Sequence, residues 1–187
     1  MLLAVLLKGQ FDILITYKKA LSLCAQEYQG RLSVGGYAYD ASSGAHTFEL
    51  IDKNGLVSHL SYDPRSNTFT DSYYADYRSY AYNAARGRYL REIKSHGASP
   101  RELIIEIDLP RGIIGEEVNV SARKIVLLFA QTDLETFADE VASALDALSE
   151  ESIAQLEAYS PEYSVVIRDI AFRARKSDIM RRVKARN

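Results

Sequence analysis

Four aspartates recur at nearly even spacing and each closes an apolar run, at Asp40, Asp52, Asp63 and Asp71. Carboxylates that a fold brings together can bind a cation or act as a general acid and base. The segments around them lack the D-x-[DN]-x-[DN]-G pattern of a calcium-binding loop. The first three open the turn-forming sequences DASSG, DKNG and DPRSN, and Asp71 precedes a helical pattern. We therefore predict that these side chains form turns and a helix N-cap, with a catalytic carboxylate pair as the alternative.

The sequence does not contain the familiar catalytic and cofactor-binding motifs. It lacks a P-loop and the G-x-G-x-x-G, G-x-S-x-G, H-E-x-x-H and C-x-x-C patterns. Three His and one Cys are too few for the usual zinc ligand sets, and Cys24 lies in a helical pattern where we expect a packed thiol. We expect no cofactor, metal site or catalytic residue; the sequence leaves enzyme activity uncertain and favours a non-enzymatic role. A catalytic site would combine scattered groups, drawn from His59, Asp63, Glu106, Asp108 and Glu116.

Charge is concentrated toward the C-terminal end. Residues 164–187 hold eight Lys and Arg against two Asp, a balance of +6, while residues 132–162 contain nine acidic residues and no basic one. Such a basic segment can contact an anionic partner, either phosphates or an anionic surface. The alternative is that it stays solvated or docks on the acidic segment of the same chain. The candidate binding residues are Arg173, Arg175, Lys176, Arg181, Arg182, Lys184 and Arg186.

Length and composition indicate an ordinary globular chain. At 187 residues, 47% apolar and 26% charged, it fits one domain, which we place at 1–172 and follow with a basic tail at 173–187. Two similar halves, 10–72 and 73–170, are the alternative. The first apolar run is short for an export signal and one Cys fits a reducing compartment, so we expect a cytoplasmic location. An upstream true start would make the chain extracytoplasmic or membrane-attached.

The N-terminal third predicts a helix and an antiparallel meander. Leu3, Leu7, Phe11, Leu14, Leu21 and Tyr28 fall on one apolar stripe of a helix that Gly30 ends. The period then changes to two in RLSVGGYAYD, HTFELID, LVSHLSYD and NTFTD, which short turns connect. Gly35 and Gly36 predict a bulge in the first strand.

The remaining chain mixes helices and strands. A helix from Tyr73 to Lys94 would pack Tyr inward, with Tyr80 and Ala84 on its stripe and its Arg solvated; stacking of its Tyr and Arg on a nucleic-acid strand is the alternative. Strands follow at ELIIEID and RKIVLLFAQ, then a helix at TDLETFADEVASALDALS with a capping box of Thr132 and Glu135. We predict a short helix at 151–159, a strand at EYSVVIRDIAF and a basic helical or frayed end. The loop at 111–117, between the two earlier strands, is a candidate functional loop.

These elements predict an α+β fold, in which helices cover one face of an antiparallel meander in two layers. The helix YKKALSLCAQEYQGRLSV and the meander TFELIDKNGLVSHLSYDPRSNTFTDSYY, residues 12–75, resemble PepSY-type and cystatin-like modules of bacterial proteins. The resemblance implies a helix on an antiparallel sheet, a secreted or membrane-attached location, and a non-catalytic role in binding or restraining partners such as peptidases. It assigns no functional residue.

We therefore expect a non-enzymatic interaction module whose partner is another protein. Its contact surface would be the sheet or the Tyr-rich helix face. Binding of nucleic acid or an anionic surface through the basic tail is the alternative, and the oligomeric state is not predicted.

Overall fold

The computed structural model of the chain describes residues 2–109, 120–130, 133–148, 153–168 and 175–185, with side chains from residue 11 onward. The chain forms two compact units. The first contains Met1–Tyr80 and Arg111–Glu117, and the second contains Ala81–Pro110 and Val118–Asn187. Whether the chain is one domain with a tail, or two similar halves, stays a prediction.

The first unit contains the predicted antiparallel meander. Its four strands lie in chain order and form sheet A. The register shifts between Val34 and Tyr37, so the bulge predicted at the paired glycines is present. The strands are β1 (Leu32–Asp40), β2 (Ala45–Asp52), β3 (Val57–Asp63) and β4 (Thr68–Asp71).

Two of the four aspartates form exposed turns, as predicted. The Asp40 carboxylate accepts hydrogen bonds from Ser42 N at 2.9 Å and from the Ser43 hydroxyl at 2.6 Å. These bonds, first that from Ser43 and then those from Ser42, lower the pKa of Asp40 to about 2. Asp63 accepts in the same way from Arg65 N at 2.8 Å, and this bond lowers the pKa of Asp63. Both carboxylates stabilise tight connections by accepting from the backbone two residues on.

Asp52 differs because its carboxylate is buried. It accepts from Asn54 N at 2.8 Å and from Leu56 N at 2.9 Å, which closes the β2–β3 turn. Its other oxygen accepts from the Tyr73 hydroxyl at 3.2 Å. Gly55 supplies the left-handed position of this turn, with φ of 79°. The carboxylate therefore ties a hairpin turn to the start of the next helix.

The N-cap of helix α2 (Tyr73–Ser95) lies one residue after the predicted N-cap, Asp71. The first intrahelical bond runs from Asp76 N to Ser72 O, so Ser72 and not Asp71 is the N-cap. Asp71 still contributes, because its carboxylate accepts from Tyr73 N at 3.1 Å.

The helix α1 (Leu2–Glu27) packs on sheet A through small side chains. Of its predicted apolar stripe, Tyr28 is half-buried beside Tyr73, whereas the other described residues face away from the core. Thr16, Ala20 and Cys24, each four residues apart, are buried. In contrast, Phe11, Leu14 and Leu21 are 63%, 56% and 42% exposed. The sheet already supplies large residues to the core, including Phe48, Leu50 and Leu60. Small residues on the helix complement them in volume, and this shape constraint outweighs hydrophobicity.

The buried stripe of α2 also differs from its prediction. The buried residues recur every fourth position, whereas Tyr80 is exposed and Ala84 lies outside the stripe. Two predicted solvated arginines instead bind carbonyl oxygens in the second unit: Arg86 Nε donates to Leu103 O at 2.8 Å and Arg88 donates to Val120 O at 3.1 Å. The buried stripe contains Tyr73, Tyr77, Ala81, Ala85, Tyr89 and Ile93.

The second unit is built on a five-stranded sheet, sheet B. It is antiparallel except for one parallel pair, β6 with β7, which a helix connects. The apolar residues of α3 and of the strands share one core with the second part of α2. Both units are therefore α+β, as predicted, with two sheets in place of one. The elements are β5 (Glu102–Ile107), β6 (Ala122–Leu128), α3 (Leu134–Ala147), β7 (Gln155–Tyr159), β8 (Tyr163–Arg168), α4 (Lys176–Arg182) and β9 (Lys184–Ala185).

Two predictions in this unit are wrong. The helix predicted at 151–159 is the strand β7, in which Leu156 and Ala158 are buried alternately. Parallel pairing with β6 overrides the helical propensity of this segment. The N-cap of α3 is Asp133, whose carboxylate accepts from Thr136 N at 2.8 Å. Asp133 therefore takes the place of the expected capping box of Thr132 and Glu135. Thr132 lies outside the described residues.

Among the residues that the structure describes, no helix is long and apolar enough to cross a membrane.

Replacing Asp52 by Ala should lower the free energy of unfolding by about 1–3 kcal/mol, because two backbone N–H groups of the turn and the buried Tyr73 hydroxyl lose their acceptor. Asp63→Ala is the matched control, since that carboxylate is exposed, and should cost at most about 1 kcal/mol. Urea unfolding of both variants measures the difference. Equal losses would show that Asp52 has no special structural role.

Ala20→Leu should destabilise the chain by about 1–3 kcal/mol, because the larger side chain overfills the contact between α1 and sheet A. Leu21→Ala changes the neighbouring exposed residue and should stay within about 0.5 kcal/mol. Thermal unfolding of the two variants compares the faces. A larger loss for Leu21→Ala would mean that the apolar stripe faces inward after all.

Candidate functional site

The basic C-terminal segment is folded onto the second unit in its described part. Ile179 of α4 is fully buried. Lys176 Nζ lies 2.7 Å from Asp139 and 3.7 Å from Glu135, two acids of α3. These carboxylates raise the pKa of Lys176, the hydrogen bond to Asp139 contributing most. The described part of the segment therefore docks on the acidic helix α3, which is one of the alternatives that its charge predicts.

The remaining candidate cations are exposed where the structure describes them. Arg181 pairs with Asp178 on its own helix. Arg175, Arg182 and Lys184 are exposed. Arg173 and Arg186 lie outside the described residues. Binding of an anionic surface through this segment stays a prediction.

The scattered candidates for a catalytic site occupy different units. His59 and Asp63 lie on β3 of the first unit, with Asp63 engaged in its turn. Glu106 lies on β5 and Asp108 follows it, both in the second unit. Glu116 and the rest of loop 111–117 lie outside the described residues.

A row of aromatic rings crosses the inner face of sheet A, with one ring from each strand. The register pairs Tyr39 with His46, His46 with Tyr62, and Tyr62 with Phe69. Successive ring centroids are 5.2, 6.1 and 4.8 Å apart. Side chains directly opposite each other on neighbouring strands share a face, so the meander itself assembles this row.

Next to the row, α1 and β1 enclose a cavity that we call the aromatic cleft. Its volume is about 260 Å³, and a second cavity of about 390 Å³ adjoins it and shares Asp12, Tyr39 and His46. The second cavity extends along the row to Lys19 and Tyr62. The described residues that line the aromatic cleft are Asp12, Ile13, Tyr37, Tyr39 and His46.

Burial shifts the pKa values of two polar groups of the cleft in the direction that favours their neutral forms. The Tyr37 hydroxyl lies 3.0 Å from His46 Nδ1 and forms a hydrogen bond with it. Burial lowers the pKa of His46, and the Asp12 carboxylate opposes this only in part. Burial, with a smaller contribution from Tyr39, raises the pKa of Tyr37. Asp12 is the only acidic residue among the described residues that line the cleft.

Lys19 shows how the aromatic row accommodates a cation. Its Nζ lies 5.2 Å from the centroid of the Tyr62 ring, 3.2 Å from Asn67 Oδ1 and 3.4 Å from the Tyr62 hydroxyl oxygen. An ammonium over an aromatic face is attracted by the negative potential of the ring. One position of the row therefore already contacts a cation of the chain.

The edge strand β1 borders the aromatic cleft and is unusually accessible. Its nine residues contain no Lys, Arg or Pro, and residues 35–40 are all exposed. The other sheet edges are short or charged: β4 has four residues, β9 has two, and β5 carries Glu102 and Glu106. Proteins normally protect long edges with such devices, because unpaired backbone groups can pair with another strand.

The thiol of Cys24 is a packed group, as predicted. It is buried in the stripe of α1, and burial followed by the nearby Asp71 charge raises its pKa. The protonated thiol is a weak nucleophile.

Within the described ranges, no group of three or more His, Cys, Asp or Glu is placed to hold a metal ion. No protein-family model, curated protein or solved structure matches the chain. The resemblance of residues 12–75 to PepSY-type and cystatin-like modules therefore stays a prediction.

The aromatic cleft was not found from the sequence, although one signal pointed to it. Alternation along HTFELID places His46 on the same face as Phe48 and Leu50, which makes it an inward histidine. The histidine among the sequence-based candidates for a catalytic site is His59. Alternation assigns it to the opposite face of the sheet, and it is exposed in the structure. Asp12 lies near this face only because α1 packs through its small residues.

Because burial lowers the pKa of His46 below its unfolded value of 6.5, its contribution to stability is fully present above pH 6.5. That contribution is lost as the pH falls from 6.5 through the lower folded pKa. Urea unfolding between pH 7.5 and 5 should show a steeper loss for the wild type than for His46→Gln. His59→Gln, which removes an exposed histidine, should keep the wild-type slope. An unchanged slope in His46→Gln would contradict this.

Proposed function

We propose that the first unit is a non-catalytic binding module that captures an extended segment of another protein along β1. The observation that carries this proposal is the juxtaposition of a long, exposed edge strand with the aromatic cleft. An edge strand provides backbone N–H and C=O groups for pairing, and an adjacent pocket selects a side chain.

The bulge in β1 limits where a partner strand would pair. Bulges disrupt a ladder and bend the strand, so continuous pairing is expected on the cleft side of the register shift, along Tyr37 to Asp40. In this stretch Tyr37 and Tyr39 face the cleft, while Ala38 lies on the opposite face of the sheet. A segment paired here would direct alternate side chains toward the cleft.

The exposed face of α1 adds apolar surface beside this edge. Ile15 lines the second cavity and is 52% exposed. Phe11 and Leu14 are exposed on the same helix. Exposed neighbouring apolar side chains are typical of surfaces that bind a partner. These observations support the sheet as the contact surface. On α2, Tyr73, Tyr77 and Tyr89 are buried, whereas Tyr74 and Tyr80 are exposed.

Backbone pairing can be tested with synthetic peptides of alternating Thr and Val, which favour an extended conformation. Such a peptide should shift the amide signals of residues 37–40 in the NMR spectrum and slow their hydrogen exchange. The matched control has the same side chains with every backbone nitrogen methylated, which removes the donors on both edges.

The methylated peptide should bind at least about tenfold more weakly, because the pairing is lost. Equal binding of both peptides, or protection of amides only in β4 or β9, would refute pairing at β1.

A further inference from the structure

The aromatic cleft offers ring faces and one carboxylate. Tyr37 and Tyr39 line it and remain 40% and 55% exposed, so their rings are accessible to a ligand. Asp12 lines the same cavity from α1. Aromatic faces and a carboxylate both attract cations, and the attraction strengthens where the site is partly shielded from water.

The charge balance of the cleft selects the sign of its ligand. No Lys or Arg is among its described lining residues, and burial lowers the pKa of His46. The nearest charge on β1 itself is Asp40, a second carboxylate. An anionic group placed here would face Asp12 with no described cation in the lining to offset the repulsion.

The chain itself contains the same kind of contact two strands away. The Lys19 ammonium lies over the Tyr62 ring, two positions along the aromatic row from Tyr39. At the Tyr39 end, the described lining of the aromatic cleft supplies Asp12 and no lysine, and Lys19 lines only the adjoining cavity. The two ends of the row are therefore complementary: one contacts a cation of the chain and the other presents an anion and two rings.

The volume of the cleft suits one side chain. At about 260 Å³ it lies just below the size range of sites for drug-sized ligands, about 300–1,000 Å³. A strand paired to β1 would lie about 4.7–4.9 Å away. From there, long side chains reach diagonal neighbours about 7–8 Å distant on the same face, which places a Lys or Arg within range of Tyr37 and Tyr39.

We propose that the aromatic cleft binds a Lys or Arg side chain of the captured segment, with Asp12 as its counter-ion and Tyr37 and Tyr39 as its aromatic walls. This rests on the proposed function, since the paired segment delivers the side chain. The cleft would thereby determine which segments bind, and backbone pairing along β1 would supply affinity that is independent of sequence.

Fluorescent peptides TVT-X-TVT, with X as Lys, Arg, norleucine or Glu, test the selection directly. Fluorescence anisotropy at low salt should give Lys and Arg peptides affinities about tenfold or more above norleucine, with Glu the weakest. The difference between Lys and norleucine should shrink as salt is added, because ions screen the Asp12 charge.

Three variants assign the selection to the cleft. Asp12→Asn should reduce Lys-peptide binding to near the norleucine level and leave norleucine binding unchanged, while Glu27→Gln, an exposed acid on the same helix, should change neither. Tyr39→Leu should weaken Lys binding, and Tyr39→Phe, which keeps the ring, should retain it. Circular dichroism and thermal unfolding establish that each variant is folded.

The outcomes separate this inference from the proposed function. If all four peptides bind equally and protect residues 37–40, pairing at β1 stands and cation selection is overturned. If Lys selection persists in Asp12→Asn and Tyr39→Leu, the cation is bound elsewhere and the inference is overturned. If no peptide perturbs β1, both proposals fall.

Discussion

The contact of α1 with sheet A through Thr16, Ala20 and Cys24 is the constraint on which the first unit depends. Small side chains let the helix approach the large residues of the sheet closely. The same choice of face turns Phe11 and Leu14 outward and brings Asp12 to the end of the aromatic row. Core packing and the proposed binding surface are therefore two consequences of one helix orientation.

The aspartates form the regular connections of the sheet, and we expect their contributions to the free energy of unfolding to differ. The exposed carboxylates of Asp40 and Asp63 organise their own turns. Asp52 is buried and links a turn to the Tyr73 hydroxyl at the start of α2, so it couples local structure to packing. The regular meander that results aligns Tyr39, His46 and their neighbours across four strands.

Local signals predicted the strands, their turns and the helices well, because each depends on neighbours in sequence. The faces of α1 and the strand at 155–159 were mispredicted, since shape complementarity and parallel pairing with β6 are tertiary effects. The aromatic cleft needs both the register that brings Tyr39 beside His46 and the orientation that brings Asp12. Alternation alone could have identified His46 as inward, whereas no local sequence pattern identifies Asp12 as a residue of the cleft.

The reactivity of Cys24, the single cysteine of the chain, tests the orientation of α1 most directly. Its thiol lies on the buried stripe, whereas a cysteine placed at Leu21 in a Cys24→Ala background lies on the exposed face. Labelling with a neutral maleimide should be at least about a hundredfold slower for native Cys24, and should become similar for both proteins in urea. Native labelling of Cys24 as fast as of the Leu21→Cys protein would contradict the packing of α1 and the cleft derived from it.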